Sequence, residues 1–166
     1  MNAIFVVGFM GAGKTTVGRA LARRLGWEYF DLDEEIEAAE HAEISDIFAA
    51  RGESEFRRVE TETLRRVLQR GQPAVLALGG GAFTLPANRD LLHGQGLTVW
   101  LDCPFETVQR RVAQAAHRPL ARDPGRFAEL YLSRRQHYSA ADLRIPIESD
   151  DPEATVDAIL EKAGLA

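Results

Sequence analysis

Residues 8–15 read Gly-Phe-Met-Gly-Ala-Gly-Lys-Thr. They stand between the apolar run Ala3–Val7 and a stretch from Lys14 in which Val17, Leu21 and Leu25 recur at helical spacing. A strand, a glycine-rich turn and a helix opening on Lys-Thr constrain one another, and together they demand the strand–loop–helix unit of a phosphate-binding loop. Glycines at Gly8, Gly11 and Gly13 permit backbone conformations closed to other residues, so that several N–H groups converge on phosphate oxygens. The helix that follows turns its positive end toward the same anion. In such a loop Lys14 reaches the β- and γ-phosphates, and the Thr15 hydroxyl ligates Mg²⁺. Thr16 is already a helix residue rather than a ligand, and closes the nucleotide-binding stretch Gly11, Ala12, Gly13, Lys14, Thr15, Thr16. A chance glycine turn is the bland alternative, but it requires neither the strand before it nor the amphipathic ladder after it.

The remainder of the chain repeats the alternation. Short apolar runs at Ala3–Val7, Tyr29–Leu32, Ala74–Leu78, Leu97–Leu101 and Leu143–Ile147 read as buried strands, and the stretches between them carry helical periodicity or charge. This pattern predicts an α/β three-layer sandwich, with a parallel sheet covered on both faces. Pro86, Pro104 and Pro152 suit first helical positions, and Gly26, Gly71 and Gly164 suit positions just beyond helix ends. Phe56, Val59, Thr63, Leu64, Val67 and Leu68 mark the buried stripe of a helix from about Glu53 to Arg70. With 166 residues the chain fills one core comfortably, so a single domain over 1–166 is expected.

Composition excludes some classes. A formal charge of −5 argues against general nucleic-acid binding, which needs a basic face. No apolar stretch approaches the roughly 20 residues of a membrane span, and the N-terminus runs straight into the first strand without a signal pattern, so a cytoplasmic location is expected. Cys103 is the only cysteine, which rules out an intrachain disulfide and reads as a small apolar residue at a strand end. His41, His93, His117 and His137 are scattered without metal-ligand spacing, and no nucleophilic triad can be assembled.

Four further features carry chemistry. Asp31-Leu32-Asp33 ends the second strand, at the edge where an open α/β sheet binds its ligands. Asp31 suits Mg²⁺, directly or through water, while Asp33 is either a ligand-facing carboxylate or the N-cap of a helix from Glu34. Gly79-Gly80-Gly81 follows the third strand and removes every side chain where the backbone meets the crevice. Arg57 and Glu60, three apart on one helix, can pair, and Arg134-Arg135 supply a second basic point. Two guanidinium forks converging on one small carboxylate would give both a purpose. Finally, 117–126 reads HRPLARDPGR, with three arginines, two prolines and a glycine. It is expected to be a surface loop, either a lid over the nucleotide or a solvated basic segment.

Taken together the chain resembles the shikimate kinase family, small P-loop kinases of the nucleoside monophosphate kinase-like group. The resemblance runs through GFMGAGKTTVGRALA at 8–22, FDLD at 30–33, GESEFRRVE at 52–60, LGGGAF at 78–83, RPL at 118–120 and an Arg-x-x-x-Tyr pattern at Arg134–Tyr138. It implies a P-loop NTPase fold with a five-stranded parallel sheet of order 2-3-1-4-5, a shikimate-binding region at about 32–60 and a lid at about 112–126. The implied activity is transfer of the ATP γ-phosphate to the 3-hydroxyl of shikimate, with Mg²⁺, toward chorismate and the aromatic amino acids, by a monomer that binds no nucleic acid or membrane. By position, the resemblance implies catalytic roles for Lys14, Asp33 and Arg118. Thr15 and Asp31 would serve the metal, and Arg111 or Arg110 would lie beside adenine, with Arg118 folding over the phosphates. Asp33, Arg57, Gly79, Gly80, Gly81 and Arg134 would bind shikimate, with Glu60 holding Arg57. The family often has Arg-x-Pro-Leu-Tyr where this chain has Arg-Arg-Gln-His-Tyr, so Arg135 competes with Arg134 for the second clamp. A gluconate-type kinase and a non-catalytic nucleotide-binding regulator are the alternatives.

Overall fold

A computed structural model describes residues 1–114 and 123–166. Five parallel strands form one sheet: β1 (Ala3–Val7), β2 (Glu28–Asp31), β3 (Ala74–Ala77), β4 (Leu97–Asp102) and β5 (Leu143–Pro146), in the order β2-β3-β1-β4-β5. This is the expected order, and every expected strand is present to within a residue at each end. The runs are apolar because both faces are covered: Ile4, Phe5, Val6 and Val7 in β1, like Val75 and Leu76 in β3, are at most 2% exposed. Parallel neighbours need crossover helices, and the intervening segments supply them. These are α1 (Lys14–Leu25), α2 (Leu32–Glu40), α3 (Ile44–Leu68), α4 (Pro86–Leu92), α5 (Phe105–Gln114), α6 (Pro124–Tyr138) and α7 (Pro152–Ala163).

Local signals set most boundaries. Pro86 and Pro152 open α4 and α7 as expected, and Gly26 and Gly164 close α1 and α7. Pro104 stands one residue outside α5, lending its carbonyl to the Val108 N–H at 3.1 Å. The helix expected from Glu53 is the second half of α3, whose first half runs from Ile44; the two are broken at Gly52, with φ 82° and ψ 170°. Asp33 does not cap α2. The helix starts one residue into the former strand, at Leu32, and the Asp31 carboxylate takes the capping role, accepting from the N–H groups of Asp33 (2.9 Å) and Glu34 (3.3 Å). Leu32 is fully buried, which pins this turn to the core.

Parallel strands place all their carboxyl ends on one edge, so the loops after β1, β2, β3, β4 and β5 share a crevice. Among the described residues, no helix is long and apolar enough to cross a membrane.

Candidate active site

The loop after β1 forms the floor of a cavity of about 450 Å³. Gly11 (φ 80°) and Gly13 (φ 94°) take left-handed backbone conformations, and Gly13 is the N-cap of α1, so the helix starts with its free N–H groups facing the cavity. Lys14 curls back over the loop, Nζ donating to the carbonyls of Gly8 (2.7 Å) and Phe9 (3.2 Å). Arg111 of α5 supports the loop from outside: Nη1 donates to the Gly11 carbonyl and Nη2 to Asp150, each at 2.9 Å. Arg110, the alternative, lies further out, 3.8 Å from Asp150 and well exposed.

Thr15 and Asp31 come from different strand ends and meet, Oγ1 to Oδ2, at 3.4 Å. Asp31 spends Oδ1 on capping α2, which fixes Oδ2 toward Thr15. A hydroxyl and a carboxylate oxygen presented side by side beneath a phosphate-binding loop are hard oxygen donors of the kind Mg²⁺ takes with phosphate oxygens and water. The donor set therefore fits the ion.

Asp33, the second residue of α2, lines the same cavity. Burial, with the nearby Asp31 charge next, pushes its carboxyl up to about 6, against the pull of Lys14 and Arg57. It also touches the next loop. A Cβ added at Gly79 would sit 2.6 Å from Asp33 Oδ1.

Gly80 and Gly81 continue the pattern. A Cβ at Gly80 would sit 2.9 Å from Arg134 Nη1, and one at Gly81 would sit 2.8 Å from Arg57 Nη1. Three consecutive glycines thus admit three different side chains, Asp33, Arg134 and Arg57, arriving from α2, α6 and α3. A single glycine in this turn would admit only one of them. Arg57 is held by Glu60, Nη1 to Oε1 at 2.8 Å, and Glu60 is 1% exposed. Burial raises the Glu60 carboxyl, and the Arg57 guanidinium opposes the shift. Arg134 lies over the Phe9 ring at 5.7 Å, on the rim where the two loops meet. Arg57 and Arg134 line a second, open cleft of about 640 Å³ together with Glu53, Ser133 and His137. Asp33 lines the phosphate-loop cavity and feels the charge of Arg57, which lines the cleft.

Arg135 points elsewhere. It pairs with Asp102 at the end of β4 and lies over the Trp100 ring. Arg118, the RPL motif and most of the expected lid fall at 115–122, outside the described residues. Cys103 is buried after β4, where burial raises its thiol and the Tyr131 hydroxyl donates to its carbonyl at 2.6 Å.

One wall was missed in the sequence reading. Ile147, Ser149, Asp150 and Asp151, from the turn between β5 and α7, and Thr155 in the first turn of α7 complete the phosphate-loop cavity. The carboxyl-edge rule applied to the fifth strand, as it was to the second and third, would have found them.

A protein-family model described as shikimate kinase covers residues 10–163. Curated shikimate kinases from Synechococcus elongatus and Persephonella marina are 43% and 40% identical to this chain, over 95% and 96% of it and 84% and 98% of their own lengths. Among solved structures, a shikimate kinase from Acinetobacter baumannii in complex with shikimate superposes with a TM-score of 0.90 at 37% identity, over 98% of this chain and 93% of the other. One from Aquifex aeolicus gives 0.88 at 34%, over 98% and 96%. A Janibacter sugar kinase, at 20% identity and a TM-score of 0.68, shares the fold alone.

Proposed function

The chain belongs to the shikimate kinase family, and from that premise we propose how its residues divide the transfer of the ATP γ-phosphate to the 3-hydroxyl of shikimate. The loop N–H groups, the α1 N-terminus and Lys14 hold the β- and γ-phosphates, with Gly11 to Thr16 as the nucleotide-binding stretch. Arg111, tied to Gly11 and Asp150, forms the wall beside adenine. Thr15 and Asp31 would hold Mg²⁺, directly or through water, and the ion neutralises charge on the phosphate oxygens when bound.

On the other side, the shikimate carboxylate lies between Arg57 and Arg134, whose planar forks match it. Its ring rests on the Gly79–Gly81 backbone. Its 3-hydroxyl faces Asp33, which orients the attacking oxygen and accepts its proton. Little covalent work is asked of the protein, so rate comes from alignment and from charge stabilisation by Lys14 and, from the 115–122 segment, Arg118.

The observation that carries this reading is the triple glycine. Each of its residues leaves room for one of the three side chains that a small hydroxylated acid requires. Both halves of the site come from one chain, in keeping with a monomer, and the proposed location is the cytoplasm, where buried Cys103 stays a thiol. A coupled assay of ADP release with shikimate, quinate and gluconate side by side tests the acceptor. Shikimate should give the highest kcat/KM by at least about tenfold, the worth of one lost charge-assisted hydrogen bond. Gluconate outcompeting shikimate would overturn the choice, and ATP binding with no phosphorylated product would favour a regulator.

A further inference from the structure

Helix α6 carries Arg134 and meets the core along one narrow aromatic stripe, Phe127 and Tyr131 packing against Phe9 and Phe105, and Tyr138 against Trp100. Of its fifteen residues only Phe127, Tyr131 and Tyr138 are buried, and Leu132 is 63% exposed. Its polar attachments are denser. Asp102, the last residue of β4 and 7% exposed, receives Arg135 on both carboxylate oxygens, with Nη2 to Oδ2 at 3.2 Å. The same Oδ2 accepts from Arg144 Nε of β5 at 2.7 Å. The two guanidinium groups lie over the Trp100 ring, at 4.9 Å for Arg135 and 5.6 Å for Arg144. Arg135 also donates to the Tyr131 hydroxyl one turn back, at 3.1 Å, and that hydroxyl in turn donates to the Cys103 carbonyl. At the end of the helix the Tyr138 hydroxyl donates to the Gly80 carbonyl.

These contacts fix the rotation of α6 about its own axis. Arg134 and Arg135 are adjacent, so they leave the helix about 100° apart. With Arg135 locked to the sheet end on one side, Arg134 is directed to the other, over Phe9 and against Gly80. With the guanidinium roughly 9 Å from the helix axis, a roll of about 6° displaces it by about an ångström. The aromatic stripe sets which face of α6 meets the core, and the bidentate pair to a carboxylate that is itself held by Arg144 adds a directional restraint next to Arg134.

We infer that Asp102 and Arg135 are positioning residues for the acceptor: the Asp102–Arg135 pair sets the roll of α6 that presents Arg134 to the substrate's carboxylate. The inference rests on the reading of Arg134 as a carboxylate clamp. It gives the second arginine of the Arg-Arg-Gln-His-Tyr run a distinct role. It also makes the carboxyl end of β4 a determinant of acceptor affinity.

The test uses Arg135→Met, which leaves Asp102 paired with Arg144, alongside Arg134→Met and the double variant, in steady-state assays with both substrates varied. Arg135→Met should raise the KM for shikimate about tenfold, as expected for one degraded charge-assisted hydrogen bond, with the KM for ATP within about twofold. In the Arg134→Met background the same change should add nothing further, because the group it positions is gone. Arg135→Lys, which restores one contact to Asp102, should recover part of the loss. With a shikimate analogue whose carboxylate is reduced to an alcohol, neither single variant should differ from the parent. An unchanged shikimate KM in Arg135→Met, with a raised one in Arg134→Met, overturns the positioning role alone. An unchanged KM in Arg134→Met overturns the clamp reading beneath it. Fully additive effects, or parallel rises in both KM values, would reduce Arg135 to a general stabiliser of the fold.

Discussion

Replacing Gly81 by alanine adds one methyl group and nothing else. Its φ of −101° and ψ of −10° are open to any residue, so the backbone does not resist the change. The new Cβ would press closest on Arg57 Nη2, and it would stand 2.8 Å from Nη1 and 2.9 Å from Cζ, at least about 0.7 Å inside the roughly 3.5 Å of an optimal contact. Arg57 cannot simply swing away. Its Nη1 is 2.8 Å from Glu60, and a full retreat would strand a carboxylate that is 1% exposed, at a cost of roughly 3–5 kcal/mol. The cheaper response is a displacement of the guanidinium by about 1 Å with the ion pair kept. For a positioned binding group a misplacement of that size costs on the order of 10- to 100-fold. Shikimate titrations in a coupled ADP assay should therefore show KM raised by about that factor, while the KM for ATP stays within about twofold because Gly81 touches nothing in the phosphate loop. Thermal stability should fall modestly, since the clash and the disturbed Arg57–Glu60 pair outweigh the smaller unfolded-state entropy of alanine. A Gly81→Ala enzyme with the parent's shikimate KM would refute the claim that this glycine exists to admit Arg57.

Three other outcomes follow from the same geometry. Lys14→Ala should lower kcat by at least about 100-fold, the usual worth of one transition-state charge donor, and near-normal turnover would remove the loop from the chemistry. Asp31→Asn should raise the free Mg²⁺ needed for half-maximal rate several-fold, roughly in line with one weakened hard-oxygen contact, leaving the shikimate KM alone; an unaltered Mg²⁺ titration would free Asp31 of that role. For Asp33 the sign of the pH effect is opposite to that of a salt-bridged aspartate. Its folded value is pushed up to about 6 from 3.8, so the native state binds the proton more tightly, and stability falls as pH rises through that window. Asp33→Asn should accordingly be more stable than the parent near pH 8, by roughly 1–3 kcal/mol, with the gap closing near about pH 4, while its kcat collapses. Melting curves without nucleotide or Mg²⁺ that coincide at both pH values would contradict the burial argument.

Much of this was readable in the chain before any coordinates. The strand–loop–helix around Gly8 to Lys14 is a local pattern with local causes, and five apolar runs spaced by amphipathic segments leave few topologies other than a covered parallel sheet. The arginines of the candidate site are harder to read, because identity does not reveal direction. Arg134 and Arg135 are equivalent in sequence, and they diverge only because Asp102, at the far end of another strand, captures one of them. The N-cap of α2 moved from Asp33 to Asp31 for a similar reason. Burial of Leu32 drew the helix start back by a turn's fraction that propensity alone does not specify. Glycine runs proved more informative than charges: a residue with no side chain at three successive positions is explicable only by what approaches it. The β5–α7 turn, by contrast, carries no motif, and its place in the cavity follows from topology rather than composition.

The central claim is spatial, that donor and acceptor halves meet at Asp33 with the acid's carboxylate on the two arginines. A crystal structure with ADP, Mg²⁺ and shikimate tests it most directly. The account predicts the carboxylate between Arg57 and Arg134, the ring against Gly79–Gly81 and the 3-hydroxyl facing Asp33 beside the β-phosphate end of the nucleotide. Shikimate bound with its carboxylate toward the phosphate loop, or clear of both arginines, would contradict it.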